Sequence, residues 1–325
     1  MVKLIQPING ETVNLQTGLQ LSYSKAVREK GDLLRFEEII SNTADPRTAP
    51  LPVHFVWESD DLTNEFVLSD DASFSNVLFR TSDCTCCDVA HLQIGTTYYW
   101  KVGDSETASF VTSDALPRWI NAEGTYNVRD IGGYRTMDGK RVKQGVLIRG
   151  TQIDYLTPKG VRDMREVFNI RFDLDMRNER IDDATLLRGV TTSPLGGDIG
   201  YTRIEADAYE TFVSEEEKYK CRQIFDVLAD TSNYPLYYHC ELGADRTGTL
   251  SMVIEGMLGM SDDDIAFDFL QTSLGGNIRE RAQLDFWKDI FPEETTIAGK
   301  AVRFLHSCGV TDEEMDMIRS IMLED

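Results

Sequence analysis

The chain has 325 residues, 41% of them hydrophobic and 27% charged, with a formal net charge of −22. That length suits two ordinary domains, and the apolar content can offset chain entropy, which excludes overall disorder. No Lys/Arg stripe counters the acidic balance, so nucleic acid and anionic membrane are excluded as partners, and any anion site must be a local positive pocket.

The opening MVKLIQPINGETV lacks the apolar core of a signal peptide, and no stretch is long enough to span a bilayer, so a soluble, cytoplasmic protein is expected. Residues 1 to about 115 alternate with period two in short runs, as in Val53, Phe55 and Trp57, between turn-rich stretches such as SDDAS. The phrases IGTTYYWKV and TASFVTSD resemble the last two strands of an immunoglobulin or fibronectin type III sandwich. An all-β accessory domain over residues 1–115 is therefore expected, acting as a lid or offering a surface to a protein partner. Six cysteines occur, Cys84, Cys86, Cys87, Cys221, Cys240 and Cys308, without the spacing of a disulfide framework. Cys84, Cys86 and Cys87 are read as a turn between strands. Zinc with His91 as fourth ligand and a disulfide within the cluster are the alternatives, and no metal is expected.

The pattern changes near Pro117, and residues 118–325 alternate strands with amphipathic helices, as in an α/β layer structure. Thr157-Pro158 starts a helix, Ile170 to Met176 reads as a strand, and Ser214 with Glu217 forms a capping box before a helix carrying Cys221, Ile224, Phe225 and Leu228 on one face. Pro235 to Tyr238 reads as a strand. Helices follow over Thr247 to Leu258, over Ser261 to Leu270, and from Thr311, with Glu314 as its box partner, to about Leu323.

The chemistry sits in YYHCELGADRTGT, where Cys240 follows a strand, Arg246 comes six residues later and Thr247-Gly248 opens an apolar helix. A loop of that kind can turn its amides inward over Glu241, Leu242, Gly243, Ala244 and Asp245 and, with the helix N-terminus, bind a tetrahedral dianion. Arg246 can complete the nest with a bidentate grip. The same amides and charge favour a thiolate at Cys240, whose attack on phosphorus gives a phosphocysteine intermediate.

HCELGADRTG matches the H-C-x(5)-R-[ST]-G signature of cysteine-based phosphatases. With YNVRDIGGYRTMDGKRVKQGVLIRG, it is similar to the bacterial tyrosine phosphatase family that carries N-x-R-D-[LI]-G-G and H-C-x-x-G-K-D-R-T-G. Asp175-Met176-Arg177 stands at that family's Asp-Leu-Arg, and the similarity covers about residues 118–325. The resemblance implies a mostly parallel sheet flanked by helices, no cofactor, a general acid at Asp175, and Thr247 helping the sulfur to leave. Ala244 departs from the family's lysine. One cation fewer favours a singly phosphorylated substrate, phosphotyrosine in a protein or a small phosphomonoester, over phosphoinositides and inositol phosphates; a module that binds phospho-ligands without hydrolysis is the non-enzymatic alternative.

Asp245, inside the loop, and Asp198, in SPLGGDIG, compete with Asp175 for the acid role, while Asp175 is otherwise a structural partner of Arg177 or Arg129. Arg129 and Asp130 read as an ion pair behind the site, Gly132 and Gly133 as a turn needing positive φ, and His239 as a backbone-bonding support of the loop.

Overall fold

The computed structural model describes residues 2–30, 48–61, 63–180 and 182–324. The chain begins with β1 (Val2–Gln6), β2 (Glu11–Val13) and helix α1 (Gly18–Lys30). Six strands follow: β3 (Val53–Ser59), β4 (Phe66–Ser69), β5 (Val77–Thr81), β6 (Cys86–Val89), β7 (Thr97–Val102) and β8 (Ala108–Thr112). The strands form two sheets, β1-β3-β6 and β2-β8-β7-β4-β5. Period-two alternation turns Val53, Phe55 and Trp57 inward. Phe55 meets Phe66 and Trp100 edge-on, with centroids 4.9 and 5.3 Å apart.

Helix α1 corrects the expectation of strands alone over residues 1–115. Its Leu19, Tyr23 and Val27 recur every fourth residue, a helical spacing, and pack into the core of the C-terminal half rather than between the two sheets. Tyr23 donates to the Leu270 carbonyl at 3.0 Å, and Arg28 pairs with Asp264 at 2.6 Å while covering the Phe267 ring. A second correction concerns the cysteine-rich turn, because Cys86 and Cys87 are strand residues of β6 paired with β3. His91 packs edge-on against Phe168, and no cluster suited to a metal ion occurs among the described residues.

The second half holds β9 (Arg118–Trp119), β10 (Arg129–Asp130), β11 (Leu147–Gly150), β12 (Phe172–Asp175), β13 (Gly200–Arg203) and β14 (Leu236–His239) in one sheet, ordered β13-β12-β14-β11-β10-β9. The first four in that order run parallel and the last two antiparallel. Helices α2 (Pro158–Arg162), α3 (Ala184–Leu187), α4 (Lys218–Ala229), α5 (Asp245–Leu258), α6 (Asp262–Gln271), α7 (Ile297–Ser307) and α8 (Asp312–Met322) complete it. Thr157 caps α2, and Thr311 with Glu314 forms the box that opens α8. The box expected at Ser214 does not form: Ser214 Oγ accepts from the Glu216 N–H, and α4 starts later, at Lys218. Apolar α5 is buried along nearly its whole length, so it forms the centre of this half. Arg118 ties the halves together, donating to the His91 and Leu92 carbonyls while pairing with Asp130 at 2.8 Å. Among the described residues no helix is long and apolar enough to cross a membrane.

Candidate active site

The loop between β14 and α5 lies at the carboxyl end of the parallel strands, where open α/β sheets offer a crevice. Every carbonyl from Cys240 to Ala244 is bonded on its outer side. His239 Nδ1 lies 3.0 Å from Cys240 O, Gln152 N–H donates to Glu241 O at 3.0 Å, and Asn127 Nδ2 reaches Leu242 O and Gly243 O. Arg149 adds a bond to Gly243 O at 2.8 Å, and Gly248 N–H takes Ala244 O at 2.9 Å. Because a trans peptide points its N–H opposite its C=O, fixing these carbonyls outward turns the N–H groups of residues 241–245 toward the hollow of the loop. Gly243 makes the bend possible: its φ is +63°, and a Cβ there would stand 2.4 Å from Gly150 O.

A buried ionic cluster holds the loop from behind. Arg129 donates to both carboxylate oxygens of Asp268, at 2.8 and 3.0 Å, and to Asn127 Oδ1 at 2.7 Å. Arg149 meets Asp268 Oδ2 at 3.0 Å and Ser251 Oγ at 2.7 Å. Asp268 thus aligns the two arginines that position the loop's carbonyls, one directly and one through Asn127. The expected Arg129–Asp130 pair is corrected here: Arg129 belongs to Asp268, and Asp130 bonds Arg118 and the Gly132 N–H instead. Gly133 has φ +96°, but Gly132 owes its identity to packing, since a Cβ there would lie 2.4 Å from Lys143 O.

Arg246, in the first turn of α5, shares electrostatic contact with Cys240 and is held by Asp182, whose two oxygens take Nη1 and Nη2 at 2.5 and 2.7 Å. Asp182 also accepts from the Asn178 N–H at 2.7 Å. Burial works against its charge, yet these hydrogen bonds outweigh it and keep its carboxyl below the usual carboxylate range. Glu241, adjacent to Cys240, hydrogen-bonds the same Asp182; burial and this contact push its carboxyl up. Cys240 itself is 2% exposed, and Thr247, in the first turn of α5, is buried with its hydroxyl bonded to no described residue.

Residues 120–324 match the model of the tyrosine phosphatase family. The chain belongs to that family. A Cupriavidus necator protein named as a tyrosine-protein phosphatase is 27% identical over 167 residues, which is 45% of this chain and 60% of that relative's length. Two solved structures overlay loosely on half of the chain. They are the core catalytic domain of the PP-IP phosphatase SIW14 from S. cerevisiae with citrate (15% identity, 91% of that chain, TM-score 0.33) and PTPMT1 with PI(5)P (12% identity, 94% of that chain, TM-score 0.31).

The three carboxylates considered for the acid of this tyrosine phosphatase family member lie in different settings. Asp175, at the end of β12, is fully buried and accepts from Arg177 Nε, Nη2 and N–H and from Tyr201 Oη. Burial would raise it, but His239 and Arg177 prevail and hold it ionised. A walled-in carboxylate without a proton does not suit the acid role expected of Asp175. Asp198 is exposed and forms a bidentate pair with Arg165 across a surface turn, away from the loop. Asp245 is at the loop, where Tyr209 Oη reaches its Oδ1 at 2.9 Å and Arg279 its Oδ2 at 2.7 Å. It thereby straps the segments around Tyr209 and Arg279 to the loop.

His239 is buried next to Asp173, its Nε2 3.0 Å from Oδ1 but off the line of a hydrogen bond. Burial opposes its charge, yet Asp175 and Asp173 outweigh it and lift His239 to about 9. Sequence reasoning missed Asn127, Arg149, Asp182 and Asp268. Asn127 and Arg149 were within reach, at the first residue of the N-x-R-D phrase and in LIRG. Asp182 and Asp268 lie in polar and helical contexts that carry no mark of a site.

Proposed function

We propose that the protein hydrolyses phosphate monoesters through a phosphocysteine intermediate, with phosphotyrosine as the favoured substrate. The observation that carries this reading is the set of outward-bonded carbonyls from Cys240 to Ala244, which leaves the opposite amides free for the equatorial oxygens of a phosphoryl group. Cys240 attacks phosphorus, Arg246 holds two oxygens by the edge that Asp182 does not take, and Thr247 bonds the sulfur as it leaves in the second displacement. Tyr126, half-buried and in electrostatic contact with Cys240 and Glu241, supplies an aromatic wall for a phenyl ring. Ala244 adds no second cation to the loop, which weighs against inositol polyphosphates and phosphoinositides.

The test is turnover of p-nitrophenyl phosphate in EDTA. Activity that survives chelation and vanishes in Cys240→Ser is expected; metal dependence, or activity indifferent to that substitution, overturns the mechanism. Turnover compared across phosphotyrosine peptides, phosphoserine peptides and phosphoinositides then tests the substrate class.

A further inference from the structure

A phosphate dianion entering the loop meets little positive charge from the loop itself. From Cys240 to Arg246 the chain carries two acidic residues, Glu241 and Asp245, and one guanidinium, Arg246, which Asp182 already holds. Ala244 contributes no further cation. Asp245 matters most, because its own N–H is one of those turned toward the hollow. Covalent geometry keeps a side-chain carboxyl carbon within about 4 Å of its own backbone nitrogen, and so within about 8 Å of a phosphorus whose oxygen that N–H binds. At that range an unpaired carboxylate repels a dianion.

A cation from another part of the chain meets this carboxylate. After α6, residues 272–279 run along the side of the loop where its carbonyls are bonded. Thr272 Oγ1 accepts from Arg129 Nη2 at 3.1 Å, a Cβ on Gly275 would stand 2.7 Å from Asn127 Cβ, and Arg279 Nη2 donates to Asp245 Oδ2 at 2.7 Å. Arg279 is set in place by its own segment. Its N–H donates to Ser273 Oγ at 2.9 Å, and its Nη1 to the Ile278 carbonyl at 2.8 Å. The side chain is 10% exposed, so water and salt screen the pair weakly. Tyr209 Oη gives the other Asp245 oxygen a hydrogen bond at 2.9 Å without adding charge.

We propose that Arg279 is a positioning residue of the phosphate site, which cancels the charge of Asp245 and holds that carboxylate on the 272–279 segment so that the loop amides and Arg246 stay open to a phosphate dianion. The proposal rests on the phosphocysteine reading above and adds the counter-ion that the loop's own residues lack. Because the Arg279 charge is matched by Asp245, the pair supplies no grip on a second phosphoryl group, and the site keeps its preference for a single one.

The experiment measures binding of inorganic phosphate, by titration calorimetry, to the full chain carrying Cys240→Ser, with a urea midpoint recorded for each further variant. In Arg279→Gln, affinity is expected to fall on the order of tenfold, the scale of one weakly screened charge at that distance. Adding Asp245→Asn to Arg279→Gln removes the repelling charge, and most of the lost affinity should return. Arg279→Lys keeps the charge but not the fork, and Tyr209→Phe removes a bond to Asp245 but no charge; both should bind phosphate far more tightly than Arg279→Gln. A purely structural strap gives the opposite pattern, since the double variant breaks it further and Tyr209→Phe loosens it. Phosphate affinity unchanged in Arg279→Gln, no recovery in the double variant, or a fall of about tenfold in Arg279→Lys or Tyr209→Phe overturns the assignment. The last two variants decide the matter even if Arg279→Gln does not fold. No phosphate binding by the parent, or p-nitrophenyl phosphate turnover that survives Cys240→Ser, removes the phosphocysteine reading and this proposal with it.

Discussion

Asp182 takes both terminal nitrogens of Arg246, at 2.5 and 2.7 Å, so the guanidinium proposed to grip phosphate is fixed by a residue 64 positions earlier in the chain. A planar fork held on one edge keeps the other edge aimed, whereas an unheld arginine samples many rotamers. Asp182→Ala is therefore expected to lower kcat/KM for p-nitrophenyl phosphate on the order of 10²-fold, the scale set by misplacing a catalytic group. Inhibition by inorganic phosphate should weaken in parallel. Wild-type phosphate inhibition in the variant would show that Arg246 is oriented without Asp182.

Beneath the loop, Asp268 and Glu255 lie in the same buried cluster and carry opposite protonation. Burial pushes Asp268 up, but Arg129 and Arg149 outweigh it and hold it ionised; Glu255 is raised well above its ordinary range by burial and by Asp268. Glu255 is thus neutral, and the cluster of two arginines and one carboxylate keeps a net positive charge behind the loop. Glu255→Gln replaces one neutral group by another of its shape, and stability within about 1 kcal/mol of wild type is expected. Asp268→Asn uncovers two buried guanidinium groups, with an expected loss of about 3–5 kcal/mol. Urea unfolding of both variants measures the contrast, and equal losses would mean that Glu255 is charged.

The candidate site was legible where one short segment contains it. YYHCELGADRTGT places a strand, a loop and a helix N-terminus in succession, and local order alone sets Cys240 and Arg246 on one loop. The supports were not legible, because Asp182 and Asp268 act through contacts that only the folded sheet and helices create, and a lone aspartate in a polar stretch has no periodic signature. The surroundings of Asp175 were hidden for the same reason: the resemblance put the acid role there, and only the fold brings Arg177 and Tyr201 around it. Likewise α1 hides in a weakly amphipathic stretch whose apolar residues acquire meaning against α6.

That docking predicts the behaviour of a shortened chain. A protein starting at residue 118 loses Tyr23, Val27 and Arg28 from the surface of α6, and leaves Arg118 without the His91 and Leu92 carbonyls. It is expected to aggregate or to lose its near-UV dichroism rather than to fold as an independent catalytic domain. Tyr23→Ala in the full chain isolates one part of this and should cost about 3 kcal/mol, as for a buried aromatic truncated to Ala. A soluble, fully active 118–325 fragment would refute the dependence.

His239 makes stability depend on pH in a defined window. Its folded-state value of about 9 exceeds the ordinary ~6.5, so between those limits the native state binds a proton that the unfolded chain does not. The contribution is complete below about pH 6.5 and lost as pH rises through about 9, amounting to about 3 kcal/mol. The imidazolium sits between Asp173 and Asp175, with Nδ1 on Cys240 O, so its neutralisation removes a cation that both aspartates and the loop carbonyl use. Urea midpoints at pH 6, 7.5 and 9 should therefore decline for the wild type. His239→Asn, which has no such proton, should be less stable at pH 6 and should lack this decline. A wild-type midpoint flat across the window, or a decline of the same size in the variant, would show that His239 is not the group responsible.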